Sequence, residues 1–292
     1  MESKMIKMKD PGQLRYVLKL LDDDSDIVRR AISEELSAYG PNLEDSLAQL
    51  DEPPSQEERR QIHNLLEAYR RDHLKESWPA WMHLPSDREK LEGALTILSE
   101  FLSGYQNAID LKTLLDRLAD EYRTLHGTGD PEKLAKFLFQ GKQLKGAQED
   151  YYNPMNSNLI AVIEEKQGIP ISLACIYILV GTRLGLKIDG CNFPGHFLAR
   201  TFIMDEMVLV DCFNGGRFIP KKAFDQAKSS QILQTILHQP ADAEAIVVRV
   251  LNNLIHAYRK NVHEENCRLM TELRGSLLEG SEKTDQETPF DD

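Results

Sequence analysis

The side chains of this sequence best placed to do chemistry together are His196 and Asp211. His196 lies in PGHFL, directly after Pro194-Gly195, where the backbone is exposed and turns sharply. Asp211 follows the apolar run VLV, so it ends a strand, and a carboxylate there is costly without a compensating partner. A base and a group that orients it are two of the three parts needed for attack on an acyl carbon. The third part is a nucleophile, and a helix N-terminus suits it because the first-turn N–H groups stabilise a thiolate or an oxyanion. The helix that starts near Pro170 carries Ser172 in that first turn. Cys175 follows one turn later on the same face, inside the apolar run LACIYILV, which favours an inert buried thiol with a raised pKa. Asn156, in PMNSNL, is a weaker candidate for binding, as its turn precedes the core helices. The same residues also admit a structural reading, in which His196 caps a turn, Asp211 holds backbone N–H groups and Asn156 closes an Asx turn.

These residues need a long apolar helix and two strands to position them. Pro170 opens the helix and Gly185 ends or tightens it. Strands are expected over Leu186 to Asp189, His196 to Phe202 and Val208 to Cys212, the last two joined through IMDEM. Before them, apolar spacing predicts helices over 88–103, 111–126 and 131–139. Further upstream, LRYVLKLL and SDIVRRAISEELSAYG read as a helix pair like one HEAT repeat, with Ser25 or Asp26 as a cap and Gly40 as a stop. Ser55 caps a helix over 56–74. Trp78 and Trp81 mark an ordered linker. After FIPKKAFDQA, a strand-to-helix passage, helices are expected over 229–237 and 241–278, and then a frayed acidic tail.

Composition bounds the function classes. Over 292 residues, 41% hydrophobic and 28% charged is ordinary for a globular protein. The net charge of −12 argues against nucleic acid or an anionic membrane as the main partner. The remaining cysteines, Cys191, Cys212 and Cys267, form no CxxC pair with each other or with Cys175, and the eight histidines show no ligand spacing. No metal and no cofactor is expected. The N-terminus lacks the apolar core of a signal peptide, so cytoplasm is the expected location.

Four motifs in order, YYNPMNSNL, GIPISLACIYILVGTRLGL, GCNFPGHFLAR and VDCFNGGRF, resemble the SirB-type branch of the transglutaminase-like superfamily. The likeness spans about Tyr151 to Phe218, and RVLNNLIHAYRK is similar to the start of a tetratricopeptide-like region. The resemblance implies an α+β, predominantly helical fold. Its papain/transglutaminase-like core would be a central helix packed on a small antiparallel sheet, with added helices at both ends. It also implies a cysteine at the helix N-terminus, with His and Asp on adjacent strands. His196 and Asp211 match the last two roles; the cysteine position falls near Ser172, where this sequence departs from the pattern.

The expected organisation is an N-terminal helical, HEAT-like region over 1–76, a linker over 77–87, a transglutaminase-like core with its helical leader over 88–226, C-terminal helices over 227–279 and an acidic tail over 280–292. The first functional reading is a protein or peptide binder, or scaffold, that lacks the standard Cys-dependent activity. The alternative is an active hydrolase or acyltransferase using Ser172 or Cys175 with His196 and Asp211. A third is a regulatory binder working through the N-terminal helices. The sequence carries no signal of oligomeric state.

Overall fold

The computed structural model describes residues 11–104, 109–220 and 231–286, which form two units. The first unit comprises the described residues 11–77 with 103–104. It contains α1 (Pro11–Leu18), α2 (Asp26–Ser37), α3 (Leu43–Ala48) and α4 (Gln56–Ser77). Apolar side chains at helical spacing bury one face of each: Leu14, Ile32, Leu36, Leu47, Ile62 and Leu65 belong to one cluster. Ser55 and Glu58 form a capping box at the start of α4, with Glu58 N–H donating to Ser55 Oγ at 3.2 Å and Ser55 N–H to Glu58 Oε2 at 2.7 Å. Ser25 occupies the N-cap position of α2 without a side-chain cap bond, and its own N–H donates to Asp23 Oδ1 at 2.8 Å.

The second unit, the described residues 78–102, 109–220 and 231–286, is α+β and predominantly helical. It opens on a 3-10 segment, Trp78–His83, in which the two buried indoles meet edge to face. Its leader helices are α5 (Asp87–Ser103), α6 (Leu111–His126) and α7 (Pro131–Ala135). Asp110 and Asp130 cap α6 and α7 through their carboxylates. The helix expected over 131–139 is not uniform: after Ala135 it widens into a π turn over Lys136–Gly141. Next come β1 (Lys145–Gly146), a 3-10 turn over Pro154–Ser157, α8 (Leu159–Glu165) and β2 (Gln167–Gly168), which pairs in parallel with β1.

Helix α9 (Pro170–Arg183) is the centre of this unit, and every residue from Pro170 to Gly181 is buried. Ile169 is extended and Pro170 takes the first helical position, where its missing N–H costs nothing. At the other end Arg183 is bidentate to Glu92, at 2.7 and 2.8 Å, and also meets Asp116 at 2.6 Å. The helix packs on α6, α7 and α8 and on the sheet formed by β3 (Asp189–Cys191), β4 (Leu198–Ile203), β5 (Glu206–Asp211) and β6 (Arg217–Pro220). All neighbouring strands in this sheet are antiparallel, in sequence order. Strand β4 is buried on both faces from Leu198 to Thr201, because helices cover both sides.

Two expectations change here, and the hairpin falls where IMDEM placed it. The first strand runs from Asp189 to Cys191 rather than from Leu186 to Asp189, because Leu184 to Leu186 closes α9 with Gly185 in the left-handed region. His196 precedes its strand rather than opening it, since Pro194 cannot donate to a ladder and Gly195 has φ +77°. The hairpin turn is Met204-Asp205, both with positive φ, the conformation that suits the twist of the flanking strands.

Downstream, α10 (Gln231–His238) places Leu237 against Cys191, Leu198 and Leu209 on one sheet face. The long helix expected over 241–278 is two helices, α11 (Ala243–Lys260) and α12 (Glu264–Gln286). Val262, at φ +59°, breaks the run, and His263 N–H returns to the Tyr258 carbonyl. Helix α11 packs on α9, on the Pro154–Ser157 turn and along α12. Helix α12 continues through Gln286, past residue 279 where a tail was expected to begin. The passage over 221–230 and the tail beyond 286 lie outside the described residues. None of the helices described is long and apolar enough to cross a membrane.

Candidate functional site

The register Ala199↔Val210 sets Leu198 level with Asp211. Cross-strand partners point to the same side, and residues two apart on a strand share that side. His196 lies in the turn just before Leu198, and the turn brings its side chain to Asp211. The observed contact is His196 Nε2 to Asp211 Oδ1 at 2.8 Å. Phe193 N–H to Cys191 O and His196 N–H to Phe193 O tie the intervening turn. Phe197 anchors it in the core.

Asp211 is buried, and its oxygens are held by three donors. Besides His196, Asn214 Nδ2 donates to Oδ2 at 2.8 Å and Asn214 N–H to Oδ1 at 3.2 Å. Burial pushes this carboxyl upward, but the hydrogen bonds from His196 and Asn214 outweigh it and hold the pKa below the ordinary carboxylate value. An ionised carboxylate only accepts, so it fixes the proton of the neutral imidazole on Nε2 and leaves Nδ1 as an acceptor. The His196 side chain is 33% exposed, and the edge of its ring meets Phe213 at 6.1 Å between centroids. Phe213 fits because Gly146 has no side chain; a Cβ there would come within 2.5 Å of the ring. Tyr151 meets the other side of Phe213 at 6.2 Å and Tyr152 at 5.4 Å, so aromatic rings lead away from His196.

Both candidate nucleophiles lie on α9, and neither makes a hydrogen bond to His196. Ser172, 1% exposed, donates its Oγ proton to the Asn156 backbone carbonyl at 2.7 Å. Cys175 is fully buried, and desolvation pushes its thiol up to about 12. Cys191 is raised to about 11 and Cys212 well above the usual thiol value, again by burial. Asn156 does not aim into an open cleft. Its side-chain Nδ2 donates to the Asp150 carbonyl at 2.6 Å and the Tyr151 carbonyl at 3.3 Å, so it shapes the loop that receives Ser172. The structure thus forms two pairs, His196 with Asp211 and Ser172 with Asn156. Among the described residues no group of three His, Cys, Asp or Glu side chains could hold a metal.

Asn214, Phe213 and Arg249 are not among the residues singled out from the sequence. Asn214 has a legible signal: an Asn just after a strand-terminal Asp and before Gly-Gly can fold back on the carboxylate. Arg249, on α11, donates to Asn192 Oδ1 at 3.1 Å and so grips the turn that carries His196. A pairing across that many residues has no local signal.

Comparison with known proteins covers the same region. Residues 108–252 match the family described as the transglutaminase-like superfamily. A UPF0162 protein of Xylella fastidiosa strain Temecula1 is 40% identical over 140 residues, 44% of this chain and 50% of that protein. A UPF0162 protein of Pseudomonas aeruginosa is 29% identical over 171 residues, 56% of this chain and 62% of that protein. F-box only protein 21 of Mus musculus is 27% identical over 148 residues, which cover 48% of this chain and 23% of the mouse protein. The match therefore spans about half the length of the Xylella relative. No solved structure matches the chain significantly. The span that matches the transglutaminase-like superfamily, residues 108–252, carries both the His196–Asp211 and the Ser172–Asn156 pairs.

Proposed function

We propose that this protein is a polypeptide-binding or scaffold protein, built on a SirB-type transglutaminase-like domain that does not perform Cys-dependent acyl transfer. One observation carries the reading: the only hydroxyl in the first turn of α9, that of Ser172, is buried and donates to the Asn156 carbonyl. The nearest thiol, Cys175, is sealed in the core with its pKa pushed up to about 12. A thiol in that state is almost wholly protonated near neutral pH and is a poor nucleophile. What remains accessible is the imidazole of His196, held by Asp211, with Nδ1 free to accept from a ligand N–H or O–H. An extended polypeptide offers such donors at every residue except proline. Peptide binding by the full chain, without incorporation of dansylcadaverine into dimethylcasein, is the expected outcome. His196-dependent incorporation would overturn the reading.

A second reading is kept because the His196–Asp211 contact, at 2.8 Å, has the geometry of an oriented base. In that reading Ser172 exchanges its bond to Asn156 for one to His196 when substrate binds. A serine hydroxyl is far less ionised than a thiol, so it would depend wholly on His196. Labelling of Ser172 by a fluorophosphonate, abolished in His196→Ala, would favour this reading.

A further inference from the structure

Helix α11 presents Arg249, Asn253, His256 and Lys260 at spacings of four, three and four residues, one stripe on one helix face. At about 1.5 Å rise per residue the stripe is roughly 16 Å long. Its first end touches the His196 turn, through the Arg249–Asn192 bond. Its middle lines a cavity of about 230 Å³ formed by Asn253 and His256 with Tyr151, Tyr152, Ser157 and Ile169. Its far end returns to the same aromatic pair, with Lys260 Nζ 3.8 Å from the Tyr152 ring centroid.

Among the described residues, no carboxylate pairs with either cation of this stripe. Arg88, Arg183 and Arg200 in the same unit each meet a carboxylate. Arg249 instead meets the neutral amide of Asn192, and Lys260 lies over a ring. Neither makes an ion pair with another described residue. The carboxylate of Asp150, at the start of the loop that carries the two tyrosines, is held by Asn153 Nδ2 at 2.9 Å. In a chain of net charge −12, two cations in no ion pair with a described residue, beside a cavity and the partly exposed His196, are a complement to an anionic ligand.

We infer that this stripe is the specificity wall of the polypeptide site, and that it selects an extended segment bearing Asp or Glu side chains. The segment runs from His196 along α11, with a side chain seated in the Tyr151–Tyr152 cavity and carboxylates facing Arg249 and Lys260. At ~3.3 Å per extended residue the wall accommodates about five residues. The inference rests on the polypeptide-binding reading and adds the charge of the ligand to it.

The test titrates the full chain with fluorescein-labelled short peptide mixtures, random in their flanks and fixed at two central positions as Glu, Gln or Lys, followed by anisotropy. The Glu mixture is expected to bind about ten-fold more tightly than the Gln mixture, with Lys weakest, and added salt narrows the gap. Lys260→Gln and Arg249→Gln each shrink the Glu-over-Gln preference; the Gln at 249 keeps an amide that can hold Asn192. Equal binding of the three mixtures overturns the acidic-segment inference and leaves polypeptide binding standing. No binding of any mixture overturns both. A parallel loss of Glu and Gln binding in Arg249→Gln, with the preference kept in Lys260→Gln, makes these residues positional and overturns the charge assignment. Tighter binding of a single-stranded oligonucleotide than of the Glu mixture overturns it in favour of nucleic acid.

Discussion

Ser172 Oγ donates to the backbone carbonyl of Asn156 at 2.7 Å, so the hydroxyl in the first turn of α9 is buried and already engaged. The hydroxyl thereby holds the Pro154–Ser157 turn against the start of α9. Ser172→Ala is expected to destabilise the domain by about 1–2 kcal/mol, the cost of losing a buried hydrogen bond and leaving the acceptor undersatisfied. Urea unfolding measures this. If Ser172 were instead a nucleophile kept for chemistry, the substitution would abolish turnover with little change in the midpoint.

The thiols make a second prediction. Cys175, Cys191 and Cys212 are buried, with pKa values pushed up by desolvation, whereas Cys267 is only partly covered. Iodoacetamide at mildly alkaline pH should label the native chain at Cys267 alone. The unfolded chain should take up label at all four cysteines. Rapid native labelling of Cys175 would contradict the burial described here.

Asp211 predicts a pH dependence. Its folded pKa is below the ordinary value, so it contributes stability that is present above the unfolded pKa, about 4, and is lost as pH falls through the folded value. The stability difference between the wild type and Asp211→Asn should be largest near neutral pH and should shrink below about pH 4. Urea midpoints across that range measure it. A difference that grows on acidification would contradict the sign.

At the far end of α9, Arg183 joins three helices through Glu92 and Asp116. Both carboxylates keep some exposure, so Arg183→Ala should cost about 2 kcal/mol, less than breaking a fully buried pair. Thermal unfolding of the variant checks this, and a charge-free Arg183→Met should recover part of the loss through packing.

The sequence made some of this legible, and the physics says why only some. Pro170 and the unbroken apolar run after it mark α9 as a buried helix. Asp211 was readable as a strand end, because a carboxylate after VLV needs a partner. The position of His196 in the turn, not on the strand, was hinted at by Pro194-Gly195 but outweighed by the β-like residues after it. The break at Val262 carries no Gly or Pro, and only the return of His263 N–H to Tyr258 reveals it. The hydrogen bond that occupies Ser172 joins residues on separate elements, and so does the Arg249–Asn192 contact; neither periodicity nor composition reports such pairs.

The most direct test of the central claim is peptide mass mapping of the full chain, treated while native with a fluorophosphonate and, separately, with iodoacetamide, in wild type and in His196→Ala. The account predicts no adduct on Ser172 or Cys175 in either protein. A stoichiometric adduct on Ser172 or Cys175 that disappears in His196→Ala would contradict it and make the domain an enzyme.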